Sequence, residues 1–232
     1  MKQPLKALVL ALGLSLGAAN SYALSLEPLD KDFTLQLLGS GGPISDDLRA
    51  SSGEHGDEGA YAYLNGLFDG SDGLFPVTIT DVPYKTSQGT KVYEQDGLTI
   101  YALGIPHGDV PCLAFRIESA EGVMVISADQ NGSNPDFIDF AKGADILLMP
   151  LAIHEEADEV SSFMHAKPSV VGKIAAEVNP KLLVLNHWMG LGLKLKPASI
   201  KIVKEYYHGQ VIAGHDLSSY PMSAAKEMSH EQ

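Results

Sequence analysis

The sequence has few of the residues on which several classes of protein depend. Its 232 residues include one cysteine, Cys112, so no internal disulfide can form. Lysine and arginine number 16 against 29 aspartates and glutamates, which gives a formal net charge of −13. Nucleic-acid binding depends on basic patches that displace counterions, so no nucleic-acid partner is expected. Cys112 itself fits a small buried residue on a strand better than a catalytic thiol.

The apolar run near the N terminus is too short to span a bilayer. It covers residues 7–19, whereas a spanning helix needs roughly 18 to 20 apolar residues. Two lysines precede the run and Ser21-Tyr22-Ala23 follows it, which is the order of a secretory signal peptide. We therefore expect residues 1–23 to be cleaved. Residues 24–232 would then form one periplasmic or secreted domain with no membrane contact.

The pattern of the chain changes near residue 135. Before it, short alternating segments separated by Gly and Asp predict an antiparallel meander with Lys91–Tyr93 at its edge and a turn at Glu121-Gly122. After it, helices and buried strands alternate. Residues 44–75, which precede most of the meander, are expected to be irregular. This order predicts an α+β fold of packed sheets with helices outside. The predicted strands are 33–38, 77–82, 91–93, 98–105, 111–117, 123–128, 145–150, 182–186 and 211–213, and the predicted helices are 135–142, 168–178 and 197–207.

Side chains that can bind metals stand where apolar strands stop. His107 and Asp129 each follow a strand of the meander, His187 follows a buried strand, and His215-Asp216 follows the last strand. Two imidazoles and a carboxylate on strand ends offer the N and O donors that zinc takes at about 2.0–2.2 Å. Each position alone also fits an ordinary turn residue. His165 lies just before a predicted helix, so a place in the capping loop competes with a role at the site.

Five segments, taken in order, resemble one family. They are HGDVPCLAFRIES, VMVISADQNG, FAKGADILLMP, MHAKPSVVGKIAAEVNPKLLVLNHWM and VIAGHDL. Together they resemble the C-terminal two thirds of a metallo-β-lactamase-fold hydrolase, of the branch similar to ribonuclease Z and arylsulfatase-type enzymes. LQLLGSGGP resembles the opening strand and glycine turn of that branch. The resemblance implies an αββα sandwich, which is incomplete in this chain.

The resemblance also implies roles for four residues. His107 matches a histidine of the first metal, Asp129 the aspartate that bridges both metals, and His187 the last histidine of the second metal. His165 matches the histidine that assists protonation near the reacting group, so it is the expected catalytic residue. Where the family has SGDT, this chain has Ser-Ala-Asp-Gln, which keeps the carboxylate of Asp129.

One departure from the family limits what the site is expected to do. The defining HxHxDH motif is absent from the sequence, and His55-Gly56-Asp57 fits a plain loop better than a replacement. We therefore expect one zinc ion rather than two, because a two-metal site would lack most of its ligands. The resemblance implies metal-assisted hydrolysis of an ester, sulfate ester or phosphodiester, the signal-like residues 1–23 imply export, and the loss of HxHxDH implies reduced activity. The alternative is a non-catalytic remnant that binds a small ligand or a protein partner.

Overall fold

The computed structural model describes residues 33–36, 82–216 and 218–223. Within these residues the strands are β1 (Thr34–Gln36), β2 (Thr90–Gln95), β3 (Leu98–His107), β4 (Val110–Ser119), β5 (Gly122–Ile126), β6 (Ile146–Pro150), β7 (Leu182–Asn186), β8 (Gln210–Ala213) and β9 (Ser219–Pro221). The helices are α1 (Asp136–Ala141), α2 (Glu159–Met164), α3 (Pro168–Val178), α4 (Gly190–Lys194) and α5 (Lys196–Tyr206).

Seven of these strands form one sheet in the order β2-β3-β4-β5-β6-β7-β8. Strands β2 to β5 pair antiparallel, and β5 to β8 pair parallel. The antiparallel meander and its edge strand are therefore as the alternating pattern predicts. Because β3 and β5 are both antiparallel to β4, strands β3, β5, β6, β7 and β8 all run in the same direction.

Strands β6 and β7 form the centre of the core because both of their faces are covered. All five residues of β6 are buried. On one face Leu147 and Leu183 pack with helix residues such as Phe137 and Val171. On the other face their neighbours along the strands pack with residues of a second, two-stranded sheet of β1 and β9. A near-continuous apolar run is typical of a strand buried on both sides.

This layering is an α+β arrangement with part of an αββα sandwich, which confirms the expected fold class. The helix α3 and the strand β7 have the bounds that the sequence predicts. Pro168 begins α3, where a missing N–H costs nothing.

Three short elements were not predicted: α2, α4 and β9. They have six, five and three residues, too few for an apolar period to be visible. Helix α2 is capped by Asp158, which directly precedes it and whose carboxylate accepts the N–H of Ser161 at 2.7 Å, a common N-cap. The proposed signal peptide, the segment 44–75 and nearly all of the strand predicted at 77–82 lie outside the described residues. None of the described helices has both the length and the apolar character needed to cross a bilayer.

Candidate metal centre

The direction of the strands brings three of the predicted residues to one edge of the sheet. His107 is the last residue of β3, Asp129 lies three residues after β5, and His187 directly follows β7. Since β3, β5 and β7 run the same way, their carboxyl ends lie on the same edge. This edge is where ligand sites form in sheets of this kind.

Asp129 and His187 form the closest pair at this edge. The Nε2 atom of His187 lies 3.3 Å from Oδ2 of Asp129. Two ligands of a tetrahedral zinc ion are about 3.4 Å apart when each bond is about 2.1 Å long. The observed separation therefore suits two ligands of one ion without further movement.

The backbone is strained at His187 and at Ala128, the residue before Asp129. Ala128 and His187 have φ angles of 49° and 61°, in the left-handed region that residues with a Cβ rarely adopt. The two other described non-glycine residues with such angles are an Asp in a hairpin turn and the Asn that ends α3, where this conformation is common. Strain of this kind persists where the surrounding structure enforces it, often at functional sites.

His165 completes a group of three. A ring nitrogen of His165, one of His187 and an oxygen of Asp129 all lie within 4.8 Å of one another. His165 is buried and ends α2, and its backbone N–H donates to the carbonyl of Ser161 at 2.9 Å. Next to it, the N–H of Ala166 donates to the carbonyl of Gln130 at 2.8 Å. These bonds fix the loop that carries the ring against the loop that carries Asp129.

His107 lies beside this group and is not a member of it. Its Nδ1 donates to the carbonyl oxygen of Met164 at 2.7 Å, and its ring meets that of His165 edge-on, with centroids 4.8 Å apart. The His165 and His187 rings are 5.4 Å apart. The ring of His165 therefore lies between the rings of the two histidines to which the family resemblance gives metal-binding roles.

Strand order places β3, which ends at His107, farther from β7 than β5 lies. Adjacent strands are about 4.8 Å apart, so β7 is two strands, about 10 Å, from β5 and four strands from β3. The His165 ring fills the space between the rings of His107 and His187, at 4.8 Å from one and 5.4 Å from the other. The sequence identifies the strand ends, but it does not give the order of the strands.

Buried polar atoms without partners concentrate at this site. Among the described residues, the buried side-chain atoms with no hydrogen-bond partner are Nδ1 of His165, both amide atoms of Gln130 and Nε1 of Trp188. Gln130 directly follows Asp129, and Trp188 directly follows His187. A buried polar group without a partner costs about 1–3 kcal/mol, and such groups point to a missing partner or to function.

The environment keeps the two histidines of the group uncharged. Burial lowers the pKa of His165 to about 4; the charge of Asp129 opposes this shift, and His187 and His107 add to it. Burial likewise lowers the pKa of His187. Both rings are therefore neutral at neutral pH, which is the form that binds metals. Burial, with the nearby charge of Asp129, raises the pKa of Cys112 to about 11, so this residue is a protonated thiol and not a nucleophile.

Some residues at the site carry no signal in the sequence. Phe163 and Met164 contribute carbonyl oxygens, and a backbone carbonyl can belong to any residue type. The oxygen of Phe163 accepts from the Gly108 N–H at 3.2 Å and from the Asn131 amide at 2.8 Å. His215 and Asp216, which follow β8, are exposed and lie outside the group.

Comparison with known proteins relates this fold to solved structures. The metallo-β-lactamase fold protein YhfI from Bacillus subtilis matches with a TM-score of 0.50 and 25% identity over 56% of this chain and 52% of that one. Human tRNase Z, short form, matches with a TM-score of 0.46 and 15% identity over 59% and 48%. A diphosphatase from the PhnP family matches with a TM-score of 0.46 and 17% identity over 70% and 55%. No protein-family model and no curated protein matches the sequence.

The chain therefore has the metallo-β-lactamase fold in part, as its resemblance to that family implies. It spans about half the length of the structures just described. The described part supplies the seven-stranded sheet, its helical layer and one edge where an aspartate and two histidines meet. Two imidazoles and one carboxylate suit a divalent transition metal, so the residues present fit a metal centre.

Proposed function

We propose that this chain is an exported hydrolase that cleaves a small ester, sulfate ester or phosphodiester with the help of one bound zinc ion. The observation that carries the proposal is the approach of the Asp129 carboxylate and the His187 ring to 3.3 Å at the edge of the sheet. Export rests on the signal-like pattern of residues 1–23.

A zinc ion at this edge would supply a water molecule of lowered pKa and a positive charge opposite the developing oxyanion. The chain's own residues do the rest. The carboxylate of Asp129 and the neutral ring of His187 would hold the ion, and their strand ends limit their movement. The two side chains are 30% and 14% exposed, so the pair is reached by solvent and still protected enough to strengthen its electrostatics.

Hydrolysis of aryl model substrates tests this proposal. The full-length chain, loaded with zinc, is incubated with p-nitrophenyl acetate, p-nitrophenyl sulfate and bis(p-nitrophenyl) phosphate. We expect slow release of nitrophenol from at least one of them, lost on chelation and restored by zinc. Asp129→Ala should abolish it, and His208→Ala, at an exposed position outside the group, should not. Turnover that survives both chelation and Asp129→Ala would reject the proposal.

The alternative is a non-catalytic remnant that binds a small ligand or a protein partner. The absence of HxHxDH from the sequence favours it, because that motif supplies most ligands of the two-metal site in the family. The same assay separates the two. A chain that binds zinc tightly but hydrolyses none of the three substrates would support the remnant.

A further inference from the structure

We propose that the ion at this site is held by Asp129, His165 and His187 as a mononuclear centre, and that His107 is a positioning residue. This inference rests on the metal dependence of the proposed function and changes its ligands. Sequence resemblance places His107 on a metal and gives His165 the proton transfer. The geometry points to His165 as the ligand and to His107 as the residue that positions it.

The distances between side chains favour His165 as the third ligand. The oxygen of Asp129 and one nitrogen each of His165 and His187 form a group within 4.8 Å, of which one edge is already 3.3 Å. The other two edges need to shorten by at most about 1.4 Å to match a tetrahedral ion with bonds of about 2.1 Å. His165 is on the loop after α2 and reaches this group independently of the strand order that separates His107 from His187.

The rings of His165 and His107 differ in their hydrogen bonds. Nδ1 of His165 is buried, and nothing in the described part of the chain bonds to it. Nδ1 of His107 donates to the carbonyl of Met164 at 2.7 Å, so both of its polar roles are defined: the bond holds the Met164 backbone, and only Nε2 is left to face an ion. Of the two rings, His165 is the one whose surroundings leave a buried polar atom without a partner.

His107 holds in place the backbone segment that carries His165. Met164 directly precedes His165, so the bond from His107 fixes the backbone on which His165 stands. The N–H of Gly108, next to His107, donates to the carbonyl of Phe163 at 3.2 Å. The end of β3 therefore holds the last turn of α2 through two successive carbonyls. Support of this kind orients ligands from outside the ligand shell.

Two nitrogen donors and one oxygen donor also define the class of ion. Mg²⁺ and Ca²⁺ prefer sets made only of oxygen ligands, whereas Zn²⁺, Co²⁺ and Fe²⁺ accept this mixture. Three protein ligands leave a position for water, as in catalytic zinc sites. We therefore expect one Zn²⁺ or Co²⁺ per chain with at least one exchangeable position.

The experiment measures zinc affinity by calorimetry and the visible absorption of the Co²⁺ form for the full chain and its variants. Asp129→Ala, His165→Ala and His187→Ala should each weaken zinc binding by more than about 100-fold. His107→Ala should weaken it by about 10- to 100-fold, the usual cost of losing outer-shell support. His208→Ala, at an exposed position, serves as the control.

His107→Asn is the deciding variant. An asparagine amide can still donate to the Met164 carbonyl, but it removes the Nε2 atom that a metal would need. If His107 only positions its neighbours, we expect His107→Asn to bind zinc better than His107→Ala and to keep the Co²⁺ spectrum of the wild type. Thermal melting of each variant in chelator shows that it folds, and His165→Gln replaces His165→Ala if the alanine variant does not.

Three results would overturn the inference: zinc binding lost in His107→Asn as completely as in Asp129→Ala, wild-type affinity in a folded His165 variant, or a stoichiometry of two or of none. Turnover answers a separate question. Zinc held by these three residues without hydrolysis would leave the ligand assignment standing and reject the proposed function. Hydrolysis with binding unaffected at His165 would do the opposite.

Discussion

The two halves of the seven-stranded sheet differ in how they are covered and in what they contribute to the site. In the parallel half, β5 to β8, every residue of β6 is buried. In the antiparallel half, β2 to β5, the edge strand β2 has no fully buried residue. The parallel half positions the Asp129–His187 pair at 3.3 Å. The antiparallel half supplies His107, which bonds to a backbone carbonyl instead of joining the pair.

This contrast indicates that a metal site needs strand ends that are both rigid and close together. Central strands covered on two faces leave the residue after them little freedom, so that even a left-handed His187 is tolerated. In the meander, β3 brings its last residue, His107, to the same edge, where its ring meets that of His165 and not the Asp129–His187 pair.

The largest effect is expected from shortening a leucine in the parallel half. Leu185 of β7 is fully buried, whereas Leu98 at the start of β3 is only partly buried. Leu185→Ala should lower the free energy of unfolding by about 3 kcal/mol, and Leu98→Ala by about 1 kcal/mol, because a rigid core leaves a larger cavity. Urea denaturation followed by circular dichroism measures both. Equal losses would show that the halves are equally well packed.

A smaller effect is expected at Asp145, which ties three strands of the parallel half together. One oxygen accepts the Val123 N–H and the other meets the Lys181 ammonium, each at 2.8 Å. Asp145→Ala leaves that part-buried N–H without its acceptor and removes the partner of Lys181, so we expect a loss of about 2 kcal/mol in urea denaturation. Glu94→Ala breaks an exposed pair with Lys91 in the antiparallel half and should cause no measurable change. A similar loss of unfolding free energy in both variants would contradict the expected difference between the two halves of the sheet.

The site should make stability depend on pH in the metal-free chain. Burial lowers the pKa of His165 from its usual 6.5 to about 4. Between these values the unfolded chain binds a proton that the folded chain does not. The free energy of unfolding should therefore fall as the pH drops from about 6.5 to about 4, by on the order of 2 kcal/mol, with no contribution from His165 above that window.

Urea denaturation in chelator across this pH range checks the effect. His165→Asn removes the titrating ring, so its stability should fall less steeply than that of the wild type. His208→Asn, at an exposed position, should keep the wild-type slope. An unchanged slope in His165→Asn would mean that the ring is not held neutral by burial.

Much of the fold follows from local pattern, and less of the site does. Alternation predicts the meander and apolar runs predict β6 and β7, because both depend on which faces are buried. Strand ends then indicate Asp129 and His187. The closeness of His165 to this pair depends on the six-residue helix α2 and on backbone carbonyls, neither of which leaves a pattern in the sequence. The roles of His107 and His165 were therefore implied only by resemblance, and their assignment to the ion stays a prediction.

The smallest effect is expected from a side chain that links the loop before α2 to the helix after His165. Glu155 accepts the N–H of Ser169 at 2.9 Å and its hydroxyl at 2.6 Å. Glu155→Ala removes a cap from the first turn of α3 and should cost about 1 kcal/mol in urea denaturation. Glu156→Ala changes the charge equally at an exposed position and should cost less. Because the cap steadies the segment that carries His165 and not the strand ends, zinc affinity should fall slightly in Glu155→Ala. A loss of affinity as large as that of Asp129→Ala would mean that this loop, and not the parallel half of the sheet, sets the geometry of the site.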